Sequence, residues 1–157
     1  MDETNEEKSV GGLLFRKLGN DVKFLILKRA DNSIWDFPKG HTEPGEEELT
    51  TLKREMKEEL GLIHFKIIPR FKETISYTSS HSGNKRTWHL YLIYTDEEPT
   101  LSPEHIEMIW MDLCDVKNYF KHDDVKRMLE KAQEVISGQT LDNNTRSKRK
   151  QNPSQHT

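Results

Sequence analysis

Residues 40–62 read GHTEPGEEELTTLKREMKEELGL, and this stretch decides the fold. Pro44-Gly45 marks a turn, and a helix is expected to follow over about residues 47–60. Leu49, Leu52, Met56 and Leu60 recur at three- and four-residue steps and form its expected buried stripe. Gly61 suits the left-handed position that stops a helix. On the same helix Glu55, Glu58 and Glu59 stand at i, i+3 and i+4, within an arc of roughly 100°. Three carboxylates crowded on one helical face repel each other, and a hard cation such as Mg2+ is the usual compensation. A metal-dependent enzyme is the first reading. An exposed acidic helix would show the same Glu and Lys content. It would not require Gly40, Pro44-Gly45 and Gly61 around it.

Outward from this helix the elements are mixed. Residues 9–15 (SVGGLLF) and 22–28 (VKFLILK) read as strands joined by a Gly19-Asn20 turn. Trp35-Asp36-Phe37-Pro38 is a short extended piece, because Pro38 pushes Phe37 away from helix. Residues 65–75, interrupted at Pro69, residues 87–94 and residues 106–112 read as further strands. Residues 125–136 form an amphipathic helix with Val125, Met128, Leu129 and Ala132 on one side. Strands mixed with two separated helices predict an α/β (α+β) sandwich around a mixed β-sheet.

The bulk numbers bound the function classes. The chain has 157 residues, which favours one domain. Hydrophobic and charged residues each make up 32%, a low core fraction that predicts unstructured tails. Disorder is expected over residues 1–8 and 139–157, leaving a folded domain over residues 9–138. A formal net charge of −3 argues against a protein that coats nucleic acid. Cys114 is the single cysteine, forms no internal disulfide and fits a reducing compartment. The acidic start MDETNEEK has no apolar region of the signal-peptide kind. No apolar run approaches the roughly 20 residues of a membrane span. A cytoplasmic monomer without membrane contact is the expectation. The RSKRK cluster at residues 146–150 offers a handle for RNA phosphates or a nuclear address, although a solubilising tail is favoured over either.

The pattern G-x5-E-x7-R-E-U-x-E-E-x-G-U, with U aliphatic, is the signature of the Nudix hydrolases. Gly40, Glu46, Arg54, Glu55, Met56, Glu58, Glu59, Gly61 and Leu62 fill every fixed position. A chance match is on the order of one in 10⁹ per starting point at ordinary residue frequencies. The resemblance implies a Nudix fold over about residues 9–138 and hydrolysis of a nucleoside diphosphate linked to another group. Glu55, Glu58 and Glu59 are then oxygen ligands for Mg2+ or Mn2+, and the Lys39 backbone carbonyl adds another. Such ions neutralise a polyphosphate and lower the pKa of a bound water. Arg54 is expected to pair with Glu46 and fix the loop against the helix.

The substrate must be read outside the signature. Residues 35–46 (WDFPKGHTEPGE), 71–77 (FKETISY), 85–92 (KRTWHLYL) and 101–110 (LSPEHIEMIW) resemble segments of the asymmetrical diadenosine tetraphosphate hydrolases. That resemblance implies that Glu104 is the carboxylate outside the signature that binds metal or positions the attacking water. Glu107 competes with it. Lys39, His41, Lys85 and Arg86 are candidate phosphate donors, and Tyr77 is a candidate platform for adenine. His105 is a candidate for orienting Glu104. The expected reaction is diadenosine tetraphosphate to ATP and AMP. The alternatives are a pyrophosphohydrolase acting on RNA 5′ ends, caps or diphosphoinositol phosphates, and a Nudix module that binds a nucleotide without cleaving it.

Overall fold

The computed structural model describes residues 6–79 and 82–151. Strand β1 (Glu6–Leu18) turns at Gly19, whose φ is 65°, into β2 (Asp21–Arg29). Short strands β3 (Trp35–Asp36) and β4 (Lys39–His41) precede helix α1 (Glu48–Leu60). Strands β5 (Lys66–Thr78), β6 (Lys85–Tyr94) and β7 (His105–Met111) follow, then helices α2 (Leu113–Lys117) and α3 (Asp123–Gln151). The sheet runs β3-β2-β1-β6-β5, with β4 beside β1 and β7 beside β2. β1 and β6 pair in parallel and the other pairs are antiparallel, so the sheet is mixed as expected.

Alternation along the central strands sends two apolar sets to opposite faces. Val10, Leu14, Leu25, Leu27 and Ile93 pack with Leu52, Met56 and Leu60 of α1. Leu13, Phe24, Ile26, Leu90 and Leu92 pack with Met128, Leu129, Ala132 and Ile136 of α3. The sheet is therefore sandwiched between the two helices. Among the described residues no helix is long and apolar enough to cross a membrane.

Four expectations need correction. Glu6–Lys8 are strand, not tail, because β1 runs alongside β6 from Glu6 opposite Lys85 onward. Helix α3 continues beyond Gly138 to Gln151, so residues 139–151 are helical rather than disordered. Residues 1–5 and 152–157 lie outside the described residues. Leu49, in the first turn of α1, is 45% exposed although it lies on the arc of Leu52 and Met56. Thr51, Glu55 and Glu59 complete the buried face instead. Finally, Lys85 and Arg86 belong to β6 and not to the preceding loop. Pro69 interrupts the pairing of β5 as expected, at a register shift between Ile67 and Lys72 with Arg70 at a φ of 68°.

Candidate active site

The site is built where β4, the end of α1 and the start of β7 meet. β4 alternates, so Gly40, paired with Val10, faces α1, while Lys39, paired with Gly11, faces the other side of the sheet. Gly40 is glycine because of contact: a Cβ there would stand 1.9 Å from Cδ of Glu55. The Glu55 carboxyl thus lies on bare backbone.

Arg54 organises the loop as the sequence suggested. Its Nε and Nη2 donate to the two Glu46 oxygens at 2.8 and 2.9 Å, and Nη2 also donates to the His41 carbonyl at 2.9 Å. Nη1 donates to Glu55 Oε2 at 2.8 Å and to Glu58 Oε1 at 3.2 Å. Glu46 further accepts from the Glu43 N–H and the Thr51 hydroxyl. With Arg54 as the main cause, its pKa is pulled down to about 2. Glu55 moves the other way, because burial outweighs the stabilising Arg54 charge.

Gly61 stops α1 at a φ of 66°, as expected. The helix's last carbonyls are taken by the next loop: Thr100 N–H donates to Leu60 O at 2.8 Å and Ser102 N–H to Glu59 O at 3.1 Å. This stitching delivers Glu104 to the Glu59 carboxyl, with which it shares a hydrogen bond. Burial, that bond and the neighbouring Glu55 and Glu104 charges hold the Glu59 carboxyl well above the ordinary carboxylate range. Glu107 lies on β7 opposite Lys28, whereas Glu104 is the one that bears on the Glu59 carboxyl of the helix.

Among the described residues no three acidic, His or Cys side chains already converge on one point. Arg54 binds both Glu55 and Glu58. The donor set nonetheless fits a hard divalent ion. The Glu59 and Glu104 carboxyls adjoin and the buried Glu55 bears on Glu59, an acidic group whose mutual repulsion a cation would relieve. Glu58, with its side chain 59% exposed, completes the acidic face.

The expected substrate residues divide. The Lys39 ammonium contacts the Asp36 carboxylate and lies 4.2 Å from the Trp88 ring centroid, turned away from Glu55. Only its main chain adjoins the Gly40–Glu55 contact. His41 is exposed and serves Arg54 through its carbonyl. Tyr77 meets Trp88 edge-on at 5.5 Å and His122 at 5.5 Å, forming an aromatic group on the α3 side of the sheet. Lys85 and Arg86 face Glu6 and Glu7 at 3.8 and 3.1 Å. Arg29, which bears electrostatically on Glu59, carried no spacing signal in the sequence.

The model of the Nudix domain matches residues 6–132, a span that includes all of these elements up to the first turns of α3. The chain belongs to the Nudix family. The pig bis(5′-nucleosyl)-tetraphosphatase (asymmetrical) is 30% identical over 139 residues, covering 82% of this chain and 95% of that protein. An RNA pyrophosphohydrolase of Wolbachia pipientis is 29% identical, covering 90% and 98%. A crystal structure of a Caenorhabditis elegans Ap4A hydrolase binary complex superposes with a TM-score of 0.77 at 28% identity, covering 84% and 98%. This Nudix chain is accordingly a pyrophosphohydrolase.

Proposed function

We propose that the enzyme hydrolyses a dinucleoside polyphosphate, diadenosine tetraphosphate in the first instance, to ATP and AMP in the presence of Mg2+. The observation that carries this reading is the buried Glu59 carboxyl, with Glu104 beside it, on a helix already lined by Glu55 and Glu58. Support for the substrate comes from the likeness to the pig enzyme along nearly its full length and from the aromatic pair Tyr77–Trp88. Glu55, Glu58, Glu59, Glu104 and the Lys39 carbonyl would hold the metal. When bound, a divalent ion neutralises polyphosphate charge and acidifies water. The protein's own residues position and take protons. A carboxylate of the Glu59–Glu104 pair accepts the proton of a water whose oxygen attacks phosphorus, while the bond from phosphorus to the bridging oxygen breaks and a nucleotide leaves. Arg54 keeps Glu55 and Glu58 in register with the loop.

A panel of dinucleoside polyphosphates, nucleoside triphosphates and 5′-triphosphorylated RNA, hydrolysed in oxygen-18 water, tests the proposal. ATP plus AMP from diadenosine tetraphosphate, only with added Mg2+, is the expected result. Faster turnover of the RNA would favour the second reading, which the likeness to the Wolbachia RNA pyrophosphohydrolase and the basic residues 146–150 on α3 support.

A further inference from the structure

His105 is the first residue of β7, and β7 is bulged at its start. Lys28 pairs with Glu107 but Arg29 pairs with His105, so Ile106 has no partner on β2. A bulge re-aims the neighbouring side chains. Here Ile106 is turned out, 56% exposed, and the His105 side chain is turned in, 3% exposed. The inward imidazole puts Nε2 3.6 Å from Glu59 Oε1, while Nδ1 is buried without a hydrogen-bond partner. Backbone bonds fix the same corner from three elements: Ala30 N–H to Glu104 O at 2.9 Å, Ser102 N–H to Glu59 O and His105 N–H to Ser102 O, both at 3.1 Å.

A leucine or methionine would fill this space without leaving a ring nitrogen unpaired, and buried polar groups without partners are uncommon because they cost stability. Local rules broken in this way concentrate at functional sites. We infer that His105 is a positioning residue for the Glu59–Glu104 pair: its Nε2–H turns one Glu59 oxygen and so orients the carboxyls toward metal and water. The inference rests on the proposed hydrolase function. At 3.6 Å the contact is longer than a hydrogen bond and shortens when the site is loaded, as catalytic contacts often do.

Three variants test it: His105→Leu, His105→Gln and His105→Asn. A glutamine amide nitrogen reaches the place of Nε2, and an asparagine amide reaches only that of Nδ1. His105→Leu should keep or raise the melting temperature, lower kcat at least tenfold with KM within threefold, and raise the Mn2+ dissociation constant at least fivefold by electron paramagnetic resonance without substrate. His105→Gln should recover kcat and Mn2+ affinity to within threefold of wild type, and His105→Asn should not. Wild-type kcat and Mn2+ affinity in His105→Leu overturn the inference, as does rescue by Asn rather than Gln. Should His105→Leu fail to fold, the comparison of Gln with Asn still decides. If the wild type cleaves no dinucleoside polyphosphate, the substrate reading fails, and the Mn2+ titrations judge His105 separately.

Discussion

Gly40 and Glu55 occupy the same space but for one missing methyl group: a Cβ on Gly40 would come within 1.9 Å of Glu55 Cδ and 2.0 Å of Oε2. Gly40→Ala therefore has to displace the buried carboxyl or separate β4 from α1. The expected cost is about 1–3 kcal/mol of stability, together with a large loss of turnover. A double-mutant cycle with Glu55→Ala isolates the clash. Most of the stability loss should vanish in the Glu55→Ala background; equal losses in both backgrounds would show that the glycine is needed for some other reason.

Arg54 and Glu46 predict a pH dependence. The folded pKa of Glu46 is about 2, below its ordinary 4.5. A depressed carboxyl contributes stability that is fully present above its unfolded pKa and is lost as pH falls through the folded one. The contribution should hold above about pH 4.5 and fade toward pH 2. Melting temperatures of wild type and Glu46→Gln, measured from pH 2 to 6, should converge at the acid end and separate above pH 4.5. Parallel curves would mean that the pair adds nothing to the fold. Arg54→Lys, which keeps the charge but loses the fork, should behave like Glu46→Gln.

Glu59 has the opposite sign. Its folded pKa is raised from 4.5, so ionising it costs stability as pH climbs from that value. Glu59→Gln removes the buried charge. The metal-free variant should be more stable than wild type by on the order of 1–3 kcal/mol at pH 9, with the gap closing below pH 4.5. Its turnover should fall by on the order of 10³-fold. Added Mg2+ should raise the melting temperature of wild type and not that of Glu59→Gln. Stabilisation of both by the same amount would place the ion elsewhere.

How far the site was legible depends on which residues fix each part. The period of 3.6 residues and Gly61 made α1 and its carboxylates readable without a structure. Periodicity gives only an angle, so it could not show that Leu49 is left exposed. Glu104 reaches Glu59 because backbone bonds tie its loop to the end of α1 and to Ala30, and no local pattern encodes those bonds. Lys39 was read as facing phosphates. Once Lys39–His41 is a strand, alternation alone puts its side chain on the face opposite Gly40. Lys85 and Arg86 find Glu6 and Glu7 through a parallel pairing of distant segments, which no local pattern encodes.

That parallel pairing supplies the last prediction. Residues 1–8 read as a disordered charged tail, yet Glu6, Glu7 and Lys8 stand opposite Lys85, Arg86 and Thr87. The Glu6 carboxylate accepts from the Thr87 hydroxyl at 2.8 Å, and that hydroxyl in turn lies 3.1 Å from the Ser76 hydroxyl on β5. Removing Glu6–Lys8 exposes the start of β6 as a free edge and leaves Lys85 and Arg86 without their carboxylates. A chain beginning at Ser9 should be less stable than one beginning at Glu6 by about 1–2 kcal/mol, or roughly 2–8 °C in melting temperature. Because the two freed cations then become available to phosphates, the shorter chain should also bind an anionic nucleotide more tightly at low salt, an effect that 0.5 M NaCl abolishes. Identical melting temperatures for the two chains would return Glu6–Lys8 to the status of a tail.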